Sequence, residues 1–227
     1  MFLGHYGVAF AAKRAAPRVS LGVLFAAAQL ADLIWPVLLL TGAERVRVTP
    51  SDNPFLRLSF EWYPWTHSLL MGLVWGALAG ALYYAAVRRD RKGALIVGVL
   101  VVSHWVLDLI VHVPDLPLYP GGPRVGLGLW RSFAGTMIVE GLIFTAGLAL
   151  YARATRPADR TGRYAFWALV ALLVLLYFGS LGPTPTDVNA IAWGALAGWL
   201  LPLFAWWVDR HRVVPALAGD VDIARGT

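Results

Sequence analysis

Six long apolar stretches occupy most of the 227-residue chain and constrain its fold more than any other feature. Each holds roughly 18–22 residues, close to the ~20 that an α-helix needs to cross a bilayer. Only 14% of the residues are charged, whereas soluble domains average about 25%. We therefore predict an all-α fold, a polytopic membrane helical bundle of about six transmembrane helices. The predicted spans are residues 19–40, 67–87, 93–113, 133–151, 164–181 and 188–208.

The two ends of the chain are expected to lie outside this set of spans. The segment MFLGHYGVAFAA at residues 1–12 is too short to span a bilayer and too apolar for a free tail. We predict that it forms a short half-helix buried against the bundle. We also expect it to remain in the mature protein and not to be cleaved as a signal peptide, because it lacks the basic segment with which signal peptides begin. Residues 1–212 are predicted to form a single transmembrane domain, and residues 213–227 a loose cytoplasmic tail.

Most basic residues fall in four short clusters, which precede the first span and follow the second, fourth and sixth, while the other loops are mixed in charge or nearly uncharged. Because Lys and Arg accumulate in cytoplasmic loops, these clusters and the C-terminus are predicted to be cytoplasmic. The loops at residues 42–66 and 114–132 are then outside. The net charge of +6 is spread over several loops, which argues against nucleic-acid binding by one basic face. The chain has no cysteine, so disulfides and thiolate metal sites are excluded.

Ionisable side chains within the apolar stretches give the main indication of function. A charged residue at the bilayer centre costs about 2.5–3.5 kcal/mol, and the predicted spans contain no Lys or Arg to compensate. Measured along the predicted spans, these side chains share one layer between the membrane midplane and the outer surface. They are His5, Asp32, His67, His104, Asp108, His112 and Glu140.

Three of these residues, His104, Asp108 and His112, are spaced four apart and form one stripe on a helix. Imidazole and carboxylate ligands on adjacent turns suit a divalent transition metal, zinc above all. A metal would also neutralise the carboxylates in this apolar setting. The pattern therefore predicts a site for a divalent metal. A proton relay in a transporter and structural pairing of the same side chains are the alternatives.

The segments GHYGVAF, LADLIWP, YPWTHSLL and SHWVLD carry these residues in order. Together they resemble a bacterial inner-membrane family of metal-dependent hydrolases. The order of His and Asp is also similar to that of the zinc-dependent phospholipase C and nuclease superfamily, in which a helical bundle holds a cluster of zinc ions. A closer similarity is to uncharacterised multi-span bacterial proteins that share THSL, SHWxLD and HxPDxPLYPGGPxxGLGLW.

This resemblance covers roughly residues 1–150 and implies one to three zinc-type ions as cofactor. The ligands that it implies are His5, Asp32, His67, His104 and Asp108. The chain departs from the family pattern at Ile34, where the family has a second Asp, and at Trp62-Tyr63, where it has His-Arg. His112 and Glu140 are our candidates to replace the lost ligands.

The predicted outer loop VPDLPLYPGGPRVGLGLWRS, residues 113–132, is rich in Pro and Gly and is expected to form turns over the site. Arg124 and Arg131 are its cations, and they either bind a substrate phosphate or contact lipid headgroups as part of an ordered cap. Asp115 is predicted to accept a hydrogen bond from a ligand histidine.

Taken together, these features favour a membrane-embedded, metal-dependent hydrolase in the bacterial inner membrane. The expected substrate is a phosphoester of a lipid or of a lipid-linked molecule near the outer leaflet, with Glu140 or Asp32 as the proton acceptor. Two other functions use the same residues. One is a transporter or permease for protons or metal ions, and the other is a non-catalytic membrane protein whose metal staples the helices together.

Overall fold

The computed structural model describes residues 1–87, 90–183 and 187–215 and confirms an all-α membrane bundle. The helices are α1 (Leu3–Ala15), α2 (Leu21–Ala28), α3 (Leu30–Leu40), α4 (Pro64–His67), α5 (Leu69–Ala86), α6 (Arg91–Val111), α7 (Phe133–Ala154), α8 (Arg160–Ser180), α9 (Val188–Leu196) and α10 (Leu200–Arg210). The strands are β1 (Arg45–Val48), β2 (Leu58–Trp62), β3 (Leu116–Pro117), β4 (Arg124–Val125), β5 (Arg156–Pro157) and β6 (Arg212–Val213).

Five helical segments in this part of the chain are long and apolar enough to cross a membrane, namely α5, α6, α7, α8 and the run from α9 through α10. The pair α2 and α3, with a bend of 55° between the two helices, is long and apolar enough only when taken together, and it raises the number of spans to six if it crosses the membrane as one broken span. These segments confirm the prediction of about six spans. They also correct the first one, which was expected to be a continuous helix over residues 19–40.

The bend in the first span lies at Gln29, whose backbone (φ −106°, ψ 9°) leaves the helical region between α2 and α3. Pro36 lies inside α3 and has no N–H to donate to the carbonyl of Asp32 four residues earlier. Asp32 lies in the first turn of α3, which is bent by 55° relative to α2. This geometry turns its carboxylate toward the centre of the bundle.

The N-terminal half-helix is present as α1, which packs against α7, α2 and α6. Its contact with α7 is a close backbone approach at two glycines. A Cβ on Gly7 would lie 2.6 Å from the carbonyl oxygen of Ile143, and a Cβ on Gly147 would overlap the carbonyl of Gly7. This approach seats α1 deep in the bundle, where His5 and Phe10 are fully buried.

Short antiparallel pairs close both ends of the bundle. At one end β1 pairs with β2, and β3 pairs with β4 in the predicted outer loop, which thus contains turns as expected. At the other end β5 pairs with β6. Val213, which was predicted to begin the loose tail, instead belongs to β6. Residues 216–227 of that predicted tail lie outside the described residues.

Candidate metal centre

Five ionisable residues that are distant in the sequence converge at one place in the bundle. His5 lies in the first turn of α1, Asp32 in the first turn of α3, and His67 at the end of α4. His104 and Asp108 lie one turn apart on α6. They form two sets of three mutually close ligand atoms, His5 with His104 and Asp108, and Asp32 with His67 and His104.

The Nε2 of His104 faces two carboxylates. Its Nδ1 lies 2.8 Å from the carbonyl oxygen of Ala28. A carbonyl can only accept a hydrogen bond, so Nδ1 carries the proton and a neutral imidazole has its lone pair on Nε2. Within the described chain, this buried Nε2 has no hydrogen-bond partner. It faces Asp108 Oδ2 at 3.1 Å and Asp32 Oδ1 at 3.8 Å.

The Nδ1 atom of His67 also has a hydrogen-bond partner, in this case a side chain that is itself bound to a second side chain. Its Nδ1 lies 2.7 Å from the hydroxyl oxygen of Thr66, and that hydroxyl donates to Glu44 Oε2 at 2.7 Å. Because the single hydroxyl proton is directed to Glu44, Thr66 accepts the proton of His67 Nδ1. The other ring nitrogen, Nε2, lies 3.2 Å from Asp32 Oδ1. In a neutral His67 that nitrogen carries the lone pair.

Four atoms of these residues form a closed ring, which can be compared with a tetrahedral metal site. Asp32 Oδ1 and His67 Nε2 are 3.2 Å apart, and His67 Nε2 and Asp108 Oδ2 are 4.0 Å apart. Asp108 Oδ2 and His104 Nε2 are separated by 3.1 Å, and His104 Nε2 and Asp32 Oδ1 by 3.8 Å. Ligands at zinc bond lengths on a tetrahedron are about 3.3 Å apart. The four measured separations lie near this spacing. His104 belongs to both sets of three potential ligand atoms, whereas Asp32 and Asp108 belong to different sets.

The chemistry of the ring also fits a cation. Positive charge beside the two carboxylates is favourable, and it can come either from protons on the imidazoles or from a metal ion that replaces those protons. A divalent metal supplies that charge and needs deprotonated ligands of these two kinds. These buried side chains thus form a group that could hold a metal ion.

His5 approaches the same group from the opposite face of Asp108. Its ring stacks on that of His104, with centroids 3.8 Å apart and an interplanar angle of 7°. Its Nε2 lies 3.1 Å from Asp108 Oδ1, and the amino nitrogen of Met1 lies 2.6 Å from the same oxygen. His5 can therefore orient Asp108 by donating to the oxygen that faces away from the ring, or act as a further ligand.

His112 lies outside both sets of potential ligands, although it was predicted to continue the stripe of His104 and Asp108. The reason is that α6 ends at Val111, and the backbone of His112 is extended (φ −59°, ψ 143°). The His112 Nδ1 instead lies 2.9 Å from Asp115 Oδ1. Asp115 thus pairs with a histidine, as predicted, but with one that is separate from the ligand sets.

Glu140 is committed to the N-terminus of α1. Its Oε2 accepts hydrogen bonds from the backbone N–H groups of Phe2 at 2.8 Å and Gly4 at 3.3 Å. A helix N-terminus leaves such N–H groups without partners inside the helix, and a carboxylate there also interacts favourably with the helix dipole. The structure therefore gives Glu140 a role in holding α1, which carries His5, whereas the sequence predicted a proton acceptor or replacement ligand.

The predicted phosphate-binding arginines do not reach the centre. Arg124 donates to the backbone carbonyls of Phe60 and Glu61, at 3.3 and 2.5 Å, and so ties the outer loop to β2. Arg131 is exposed at the end of the outer loop. Neither side chain lines the cavity that adjoins the ligand sets. This arrangement matches the ordered cap rather than the phosphate site.

A largely apolar cavity of about 640 Å³ adjoins the candidate centre. Asp32, His67 and Asp108 are among its lining residues, and 41% of the Asp32 side chain is accessible. Its other walls come from α8 and from the segment between α9 and α10, including Leu172, Leu176 and Gly198. Within residues 1–87, 90–183 and 187–215, neither Lys nor Arg lines it.

Glu44 and Thr66 are parts of the site that sequence reasoning missed. Glu44 is only 1% exposed, and it accepts hydrogen bonds from both the backbone N–H and the hydroxyl of Thr66. Burial raises the pKa of the Glu44 carboxyl, and the hydrogen bonds from Thr66 oppose that rise. Thr66 could have been noticed as the neighbour of His67. Glu44 lies in a loop before β1, where the sequence pattern carries no indication of burial.

Comparisons of the chain with protein-family models, with curated proteins and with solved structures find no match.

Proposed function

We propose that this protein is a membrane-embedded, metal-dependent hydrolase that acts on a phosphoester of a lipid or lipid-linked molecule. The observation that carries the proposal is the position of Asp32. Its carboxylate belongs to the ring of potential metal ligands and is also accessible from an apolar cavity. A metal-dependent hydrolase needs such an arrangement, because ligands that hold the metal must leave one side of it open to substrate and water.

The ligand set is of the kind that zinc prefers, with imidazole nitrogens and carboxylate oxygens. A zinc-type ion bound there would act as a Lewis acid and would lower the pKa of bound water toward neutrality. The protein's own residues do the rest of the work. Asp32 and Asp108 place carboxylates at the cavity wall beside the imidazole of His67, and most of the remaining lining is apolar.

The shape and lining of the cavity support a lipid as the substrate class. Its walls are mainly aliphatic and aromatic, contributed by Phe55, Leu58, Leu172, Leu176 and Tyr177. An acyl or prenyl chain lying along these walls would place its polar group at the end that contains Asp32. Because no Lys or Arg of the described ranges lines the cavity, the charge of a phosphoester would be balanced at the metal centre itself.

His112 is a better candidate for proton transfer than Glu140. It lines the same cavity as Asp32 and Asp108, and its Nδ1 is held by Asp115. This pairing orients the imidazole and leaves Nε2 as the nitrogen that can exchange a proton with a substrate. Glu140 also lines the cavity, but its Oε2 is occupied by the backbone of α1.

The structure gives less support to a transporter. The nearest buried charges toward the other end of α1 are Lys13 and Asp209, which form an ion pair of 2.6 Å. His5 and Lys13 are eight residues apart on α1, which corresponds to ~12 Å. The layer between them contains Ala9, Phe10, Leu24 and Phe25, all 0% exposed. In this conformation the layer separates the two polar groups.

We further propose that the protein resides in the inner membrane of a bacterium, with its metal centre toward the outer leaflet. The motivation is the resemblance of its His and Asp segments to bacterial inner-membrane proteins, together with the basic clusters at the opposite loops. The β1–β2 hairpin and the 114–132 loop would then cover the centre from the outer side.

The proposal is tested by purifying the protein in detergent and measuring its metal content and its release of headgroup from phospholipid vesicles. We expect stoichiometric zinc-type metal and hydrolysis that both disappear in Asp32→Asn combined with His104→Ala. Leu172→Trp, which fills the cavity away from the ligands, should abolish hydrolysis but keep the metal. A protein that holds metal but hydrolyses none of a panel of phospholipids and lipid-linked phosphates would instead be the metal-stapled scaffold.

A further inference from the structure

A buried chain of hydrogen bonds leads away from the candidate metal centre on the side of the outer loops. It runs from His67 Nδ1 to the hydroxyl of Thr66 over 2.7 Å, and from that hydroxyl to Glu44 Oε2 over 2.7 Å. The other carboxylate oxygen, Oε1, accepts the backbone N–H of Thr66 at 2.9 Å. All three side chains are nearly inaccessible, with 5%, 2% and 1% exposure for His67, Thr66 and Glu44.

With Glu44 ionised, the direction of this chain follows from the number of protons available. Ionised Glu44 only accepts hydrogen bonds, and Thr66 has one hydroxyl proton to give. The hydroxyl oxygen can then accept from His67 Nδ1–H. A neutral His67 is therefore held in the tautomer whose lone pair is on Nε2, the atom 3.2 Å from Asp32 and 4.0 Å from Asp108.

His104 reaches the same tautomer by a different route, since its Nδ1 donates to the backbone carbonyl of Ala28. The acceptor of His104 is thus a neutral backbone group and needs no particular side chain. The chain through Thr66 ends in a carboxylate instead, and polarisation by that charge increases the basicity of the imidazole. Glu44 and Thr66 also connect two elements, because Glu44 follows α3 while Thr66 lies in α4.

We propose that Glu44 and Thr66 are positioning residues of the metal centre, which fix the tautomer and orientation of His67 and strengthen it as a ligand. Neither residue contacts the metal or the substrate. Burying a carboxylate costs free energy. A role of Glu44 in orienting a ligand histidine, through the hydroxyl of Thr66, would account for its burial. This inference rests on the metal centre of the proposed function, but it does not depend on what the protein hydrolyses.

The test compares Thr66→Val, Thr66→Ser and Glu44→Gln with the wild type by competition for zinc with a chromophoric chelator. Thr66→Val keeps the side-chain shape but removes the hydroxyl, and we expect the zinc affinity to fall by about 10–100-fold. Thr66→Ser restores the hydroxyl and should recover most of that loss. Glu44→Gln should lower the affinity as well, because the negative charge is lost from the end of the chain.

The matched control is Thr155→Val. Thr155 is also buried at 2% exposure and donates to a backbone carbonyl, but it lies at the other end of the bundle, next to Arg212. Its substitution should leave zinc affinity unchanged. A second readout is the ¹⁵N chemical shift of His67 in the metal-free protein. The protonated nitrogen should be Nδ1 in the wild type and in Thr66→Ser, with the tautomers mixed in Thr66→Val.

Failure of the inference and failure of the proposed function are distinguishable in these data. Zinc binding by the wild type with equal affinity in Thr66→Val and Thr155→Val would overturn the positioning role alone. Equal losses in Thr66→Val and Thr66→Ser would also overturn it, because the hydroxyl would then be irrelevant. A wild-type protein that binds no zinc would overturn the metal centre and this inference together. Zinc binding without hydrolysis would leave the positioning role intact.

Discussion

His104 and Asp108 lie one turn apart on α6, and Nε2 of His104 is 3.1 Å from Oδ2 of Asp108. Both side chains are almost completely buried, at 2% and 1% exposure. Because Nδ1 of His104 donates to the Ala28 carbonyl, a neutral His104 directs its Nε2 lone pair at this carboxylate, whereas a doubly protonated His104 forms an ion pair with it. A metal ion would take the place of that second proton, and His104 also belongs to the set of potential ligands that contains Asp32 and His67.

We predict that His104→Ala and Asp108→Asn each abolish stoichiometric metal in the purified protein, with affinity reduced more than ~100-fold. Because a ligand that binds the folded state stabilises it, zinc at about 100 times its Kd should add ~2.7 kcal/mol to the wild type and nothing to these variants. Elemental analysis and thermal unfolding in detergent measure the two effects.

The control for this pair is His211→Ala. His211 pairs with Asp159 at the surface, beyond the end of α10 and away from the ligand sets. Its loss should change neither metal content nor the response to zinc. Equal metal content in His104→Ala, Asp108→Asn and His211→Ala would show that the buried group is a structural ion-pair network.

The helical pattern of α6 was enough to predict the pairing of His104 with Asp108, because their spacing of four is a local property of a helix. The same rule was wrong for His112, because α6 ends at Val111. Pro114, three residues later, was a stop signal that the stripe argument did not use. Asp32 reaches the centre through the 55° bend at Gln29. That bend depends on packing between helices, although Pro36 was visible in the sequence.

Residues outside the spans were harder to predict. Glu44 is placed by the pairing of β1 with β2, which brings the end of α3 next to α4. Such a contact depends on how a loop folds back over the bundle, and no periodic pattern encodes it. The sequence predicted the depth of Glu140 in the membrane. It could not reveal that the backbone N–H groups at the start of α1 would donate to its carboxylate.

For Glu140 we predict a structural effect that is separate from catalysis. Glu140→Ala leaves the partly buried N–H of Phe2 and the buried N–H of Gly4 without this acceptor, which should cost about 1–3 kcal/mol of stability. Glu140→Gln keeps an acceptor oxygen and should be milder. Chemical or thermal unfolding in detergent measures both. If Glu140→Gln unfolds like the wild type yet hydrolyses nothing, Glu140 acts as a proton acceptor after all.

The close approach of α1 to α7 gives a prediction with a control on the same helix. Gly147→Ala would place a methyl group into the backbone of Gly7, and such overpacking costs about 1–3 kcal/mol. Since α1 carries His5, the affinity for zinc should fall with it. Gly141→Ala meets no atom within 4 Å, so it should be neutral or stabilising, as Ala is the better helix former. Similar melting temperatures for the two variants would contradict the docking of α1.

The orientation of the bundle can be tested by cysteine labelling, because the natural chain has no cysteine to mask the result. Asp52 and Lys92 are both exposed and lie at opposite ends of α5, which spans Leu69–Ala86. The basic clusters predict that Lys92 is cytoplasmic. In intact cells, a membrane-impermeant maleimide should therefore label Asp52→Cys at once and Lys92→Cys only after permeabilisation. The reverse result would place the centre at the cytoplasmic leaflet, and lipids of that leaflet would then be its substrates.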